Sequence, residues 1–174
     1  MRFFSREWHS GDLPDAECDE RERRYREEHL PAILPRLPRA LAELARSEAD
    51  SGEFLGIHDA RIRRVVIELG AKNVALELRT GDEGRGYADL DLEFRGVDLA
   101  RLDRSFLKRV ALDPRTELLY DEVDVEAGGS FVYRVLLWPG RETLEIAFRD
   151  LGWRRTERAA GMPLREREPF LELT

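Results

Sequence analysis

His58 and Asp59 stand side by side just ahead of the first alternating segment, and an imidazole held by a carboxylate is an acid–base device. Catalysis would also need a nucleophile or a polarising group, and the sequence marks neither beside them. The plain alternative is that Asp59 caps the turn entering the strand while His58 is partly packed. Asp121 is the second candidate. The alternation described below sets it on the inward row beside Val135 and Ile146, where a desolvated carboxylate needs a partner or a role. Either it handles a ligand or a proton, or the strand begins later and the group sits in water at the sheet edge. A site made of Asp121, His58 and Asp59 would face a pocket beneath the helices.

Other chemistry-bearing patterns are weaker. Asp89, Asp91 and Glu93 share one strand face, but alternate strand residues are roughly 6.5 to 7 Å apart, too far to converge on one calcium without further oxygens. That row reads as a solvated face neutralised by neighbours such as Arg79 and Arg95. Gly81, Gly84 and Gly86 join two strands and open no helix, so they do not form a phosphate cradle. His9 and His29 are isolated, and Cys18 is the only cysteine, which rules out an intrachain disulfide and a cysteine zinc framework. No metal and no cofactor is expected.

Composition bounds the partners. In 174 residues there are 36 acidic and 29 basic side chains, a formal charge of −7. A general nucleic-acid or anionic-membrane binder needs a basic face, so neither is expected. The amino terminus has no apolar leader, no run reaches membrane-spanning length, and a cytoplasmic protein is the expectation.

These residues must be positioned by two kinds of element. Residues 1–50 read as helical. Phe3, Phe4 and Trp8 could share one helix side, Asp15 to His29 is a mostly polar helix touching the body through Tyr25 and Leu30, and Leu30, Ile33, Leu34, Leu37, Leu41 and Leu44 form one apolar stripe. Pro35 and Pro38 predict a break near Leu34 to Leu37 and a new helix from Pro38. Helical periodicity stops at Asp50 to Glu53. Six two-residue alternations follow between Arg61 and Asp150, interrupted by a helical crossover at 98–112. The reading is a single α+β domain: a helical layer (1–50) packed on one face of an antiparallel meander of about six strands (51–152), then a tail (153–174).

Register can be read from matching apolar rows. A loop from Gly70 to Asn73 sets Leu69 opposite Val74. A three-residue loop, Ala127 to Gly129, sets Val125 opposite Phe131, Val123 opposite Tyr133, Glu122 opposite Arg134 and Leu119 opposite Leu137. A loop from Pro139 to Glu142 pairs Leu137 with Leu144 and Tyr133 with Phe148. On the opposite face this lines up Leu118, Tyr120, Val132, Leu136 and Trp138, too apolar for an open surface. Either the amino-terminal helices or the tail around Leu164, Phe170 and Leu173 cover it, or it is a partner or dimer interface.

The opening Met1-Arg2-Phe3-Phe4-Ser5-Arg6-Glu7-Trp8, the Tyr25 to Leu30 segment, Leu37-Pro38 and His58-Asp59 together resemble a family of uncharacterised bacterial proteins with a helical front and a strand-rich back. The resemblance implies a bacterial cytoplasmic origin and carries over no activity and no site residue. The functional expectation is an acidic protein-binding module, such as an immunity-type partner of a basic toxin, rather than an enzyme. The alternatives are a small-ligand binder or enzyme at Asp121 and His58, and a homodimer joined through the outer sheet patch.

Overall fold

The hydroxyl of Ser5 accepts the Trp8 N–H at 3.4 Å and opens a one-turn helix, α1 (Arg6–Ser10), which Gly11 closes at φ 75. Phe3 and Phe4 therefore precede the helix. In this computed structural model, which describes residues 1–51, 57, 59–82, 86–158 and 170–174, α2 (Asp15–Arg23) follows Pro14 and buries no residue of its own. It is laced by Arg21–Glu17, Arg26–Glu22 and Arg23–Glu20 pairs, which is how a mostly polar helix survives. A π-helical turn (Arg24–His29) then carries Tyr25 inward, and α3 (Leu30–Ile33) and a 3-10 turn (Leu34–Arg36) continue the apolar stripe. The expected break falls at Leu37, extended at ψ 150 ahead of Pro38, and α4 (Arg39–Ser51) starts afresh.

The strands are β1 (Ala60–Glu68), β2 (Asn73–Asp82), β3 (Gly86–Arg95), β4 (Glu117–Val125), β5 (Phe131–Trp138), β6 (Glu142–Phe148), β7 (Asp150–Glu157) and β8 (Phe170–Leu173). They form one sheet in the order β6-β5-β4-β1-β2-β3-β7, with β8 added parallel to β1. The crossover is shorter than expected. Its helix, α5 (Arg104–Leu112), opens where the Asp103 carboxylate accepts the Phe106 N–H at 2.9 Å. The expected tail is in part sheet: β7 pairs along β3 from Asp150 to Glu157, and β8 pairs with Arg64 to Ile67.

Pairing between β4 and β5 runs as expected from Val125–Phe131 through Glu122–Arg134 to Asp121–Val135. A bulge at Leu119 then sets Leu118, not Leu119, opposite Leu137. Two other hairpins are displaced by two residues. Ile67, not Leu69, faces Val74, and Phe131, not Tyr133, faces Phe148. The turns decide this: Lys72 at φ 56 and Arg141 at φ 54 adopt left-handed conformations and shift where each loop ends. An even shift leaves every side chain on its expected face.

One face forms the main core. Val65, Ile67, Val74, Leu76, Leu90, Leu92, Val123, Tyr133, Val135, Ile146 and Phe148 lie on it, under Leu30, Ile33, Leu37, Leu41 and Leu44 from the helices and Leu107 and Val110 from α5. Arg149 alone joins β6 to β7, the two ends of the strand path. The sheet must curl until those ends meet, and the Phe94 ring packs at 5.1 Å on Phe148 and 5.4 Å on Tyr133 across the curl.

The helical layer is not confined to that face. Phe3, Phe4, Trp8 and Tyr25 form a second cluster with Tyr120 on the other side of the sheet. The crossing point is a gap in the sheet. β1 meets β4 only at Ala60–Leu118 and Arg61–Glu117 before β8 takes over its edge, so the rest of the β4 edge is left for side chains. The phenol of Tyr25 accepts the Val123 N–H at 3.0 Å, and His29 Nε2 lies 3.3 Å from the Val123 carbonyl. Among the described residues no helix is long and apolar enough to cross a membrane.

Candidate functional site

Two neighbouring carboxylates on β4 are both buried and point to opposite faces. Asp121, 6% exposed, lies in the main core opposite Val135, and its Oδ1 has no hydrogen-bond partner among the described residues. Burial pushes its carboxyl up to about 7; the neighbouring Tyr133 phenol and its own backbone offset only part of this, and the charge of Glu122 adds to the push. Glu122, 2% exposed, faces outward and receives the amino terminus: Oε1 accepts the Arg2 N–H at 2.6 Å and Oε2 the Phe3 N–H at 2.9 Å, with the Arg134 guanidinium 3.7 Å away. One side chain thus satisfies two backbone donors, of which the Phe3 N–H is buried. The seated residues then pack as rings, Phe4 stacked 5.9 Å from Tyr120 and Trp8 edge-on to Tyr120 at 4.5 Å.

Two of the residues expected to share a polar site, Asp121 and Asp59, are separated by the solvent boundary. Asp121 is inside the core, whereas Asp59 is exposed, at φ 61, and donates its backbone N–H to the Leu118 carbonyl at 2.8 Å. Burial raises the Tyr120 phenol, and the Asp59 charge adds to the shift. His58 lies outside the described residues. Among the described residues no group of histidine, cysteine and carboxylate side chains could hold a metal.

The expected outer patch is occupied differently by each member. Leu118 has no exposure and belongs to the main core, because the Leu119 bulge turns it inward. Val132 and Leu136 also have none, and Tyr120 lies under the amino terminus. Leu164 lies outside the described residues, and the Phe170–Leu173 segment pairs with β1. Only Trp138 remains open, 40% exposed, with the Arg141 guanidinium 5.8 Å from its ring centre.

Trp138 borders a groove that the sequence reading does not contain. A cleft of about 160 Å³ between α5 and the β5–β6 hairpin is lined by Phe106, Val110, Leu137, Trp138 and Pro139 among others. It adjoins a wider hollow of about 490 Å³ that shares Phe106, Arg109 and Glu142 and extends to Arg101 and Glu145. Arg109 pairs with Glu142 at 2.8 Å across the shared wall, and Arg101 reaches both Glu126 and Glu145 at 2.6 Å. Leu112, 48% exposed, ends α5, whose Val110 lines the cleft. The available signal was Trp138-Pro139-Gly140 at a hairpin tip following an amphipathic helix, but neither segment points to the other in sequence. No protein-family model matches this chain, and a search of curated proteins finds no match.

Proposed function

We propose that this protein is a binding module for another protein, and that the groove between α5 and the β5–β6 hairpin is its contact face. One observation carries the reading: while Leu118, Val132 and Leu136 are fully buried and Tyr120 lies under the amino terminus, Trp138 stays 40% exposed beside an aromatic-lined cleft. Tryptophan and arginine at such a cleft are among the residue types that dominate interface energetics. The formal charge of −7 favours a basic partner, whose encounter it would accelerate at low salt. An immunity-type role against a basic toxin in a bacterial cytoplasm fits that charge, and the lone Cys18 fits a reducing compartment.

The test is capture at low salt with the wild-type chain and with Trp138→Ala plus Leu112→Ser. A basic protein recovered by the first and lost with the second supports the reading. Recovery of the same proteins by both variants, or of none, overturns it. Sedimentation at high concentration separates the homodimer alternative, since a dimer abolished by Trp138→Ala would assign the face to a second copy.

A further inference from the structure

We propose that the outer face of β1, β2, β3 and β7 carries a binding site for a small phosphate-type oxyanion, formed by Arg63, Arg79 and Arg158 around Asp89. The strand alternation that buries Ala88 and Leu90 turns Asp89 outward, directly across from Arg79 on β2. A bulge between Ile62 and Arg64 inserts Arg63 within reach of the same carboxylate. Arg158 arrives from the end of β7, two residues beyond Thr156, the β7 partner of Asp89.

Three guanidiniums thus converge on one carboxylate. Asp89 Oδ2 accepts from Arg63 Nη1 at 3.0 Å, from Arg158 Nε at 2.7 Å and from Arg158 Nη2, while Oδ1 accepts from Arg79 Nε at 2.8 Å. A carboxylate offers about four acceptor sites, so Asp89 is saturated. Each guanidinium carries about five N–H donors, and most of those fifteen or so find no acceptor among the described residues. The excess charge is sheltered as well: the Arg63 and Arg79 side chains are 17% and 13% exposed, and Arg158, at 43%, is the side open to water. Nearby carboxylates are already taken, Glu77 by Arg64, Asp91 by Arg154 and Glu117 by Arg61.

Neutralising Asp89 needs one arginine, and two further half-dry charges in a chain of net −7 are a cost that a purely structural role does not explain. A tetrahedral dianion supplies the two missing negative charges and acceptor oxygens matched to the guanidinium fork. Such chemistry fits free inorganic phosphate or the phosphoryl group of a small monoester. This site lies on different strands from the groove and does not depend on it.

The experiment is titration with inorganic phosphate and, in a separate arm, with glycerol phosphate, each against chloride at equal ionic strength, read by calorimetry. Saturable phosphate binding is expected, at least about tenfold weaker in Arg158→Gln, which removes a half-exposed donor without opening the core. Asp89→Asn is expected to bind at least as tightly as the wild type, because the competing internal anion is gone; a structural ion pair predicts no such effect. Glycerol phosphate binding as well as phosphate assigns a monoester, and binding of phosphate alone assigns the free ion. A response no larger than that to chloride, or an Arg158→Gln affinity within about twofold of wild type, overturns the proposal.

Discussion

The two halves of the sheet share an inner face and differ on the outer one. Over β4 and β5 the outward residues are Tyr120, Glu122, Val132 and Leu136, all sheltered from water, and the amino terminus is drawn across Tyr120 and Glu122. Over β1, β2, β3 and β7 they are ion pairs: Arg64–Glu77, Arg154–Asp91, Arg95–Glu93 and the three-arginine cluster at Asp89. The same two-residue alternation runs through both. What differs is whether the outward row gains by leaving water, and that alone decides which half acquires a second layer. The covered half is also where buried carboxylates occur in sequence, because one strand there is dry on both sides.

If the cover is energetically part of the fold, its removal should be the most costly change. Phe4 has no exposure and touches Trp8, Tyr25 and Tyr120 with ring centres 5.2 to 5.9 Å apart. Phe4→Ala is expected to cost about 3 to 5 kcal/mol in denaturant unfolding, the range for a large buried aromatic. A loss below about 1 kcal/mol would mean that the amino terminus is an ornament and the two halves are alike.

How far the contrast could be read from sequence depends on the range of the signal. Alternation has a period of two, so it identifies the face of a residue and cannot separate registers that differ by two. The β1–β2 and β5–β6 hairpins slipped by that amount, decided by left-handed Lys72 and Arg141, residue types that do not advertise that conformation. The β4–β5 hairpin was legible down to the Leu119 bulge because Gly128 and Gly129 name their turn, both at positive φ. The outward apolar row was legible as needing a cover. That Glu122 is the anchor was not, since its partners are backbone N–H groups 119 and 120 residues away and carry no side-chain identity. β7 was missed for the opposite reason: after Leu151 and Trp153 its residues are mostly charged, and an edge strand facing water loses its pattern.

Asp121 sharpens the comparison through pH. Its folded carboxyl stands near 7 against an ordinary value of 3.8, so the folded chain keeps a proton that the unfolded chain releases between about pH 4 and 7. Stability from this group is complete at acid pH, falls as pH rises through that window and is level above it. Asp121→Asn mimics the protonated form at every pH. It should match the wild type near pH 4 and exceed it by about 1 to 4 kcal/mol at pH 8. A difference that does not change between pH 4.5 and 8 would show that Asp121 is not buried in its charged form, and the inner face of β4 would lose its distinction from that of β2.

The smallest effect belongs to the open half. Arg154 grips Asp91 through Nε at 3.0 Å and Nη2 at 2.6 Å, yet its side chain is 77% exposed and Asp91 is 32% exposed. Ion pairs of that kind gain little in water and are screened by salt. β7 is held to β3 by its backbone ladder from Asp150 to Glu157 and by Leu151 and Trp153 on the inner face, none of which Asp91→Asn touches. The melting temperature of Asp91→Asn should therefore lie within about 2 °C of the wild type, with any difference shrinking as salt is raised. A loss as large as that of Phe4→Ala would mean that the charged ladder holds β7 in place, and an exposed row would then be securing the sheet as firmly as the covered one.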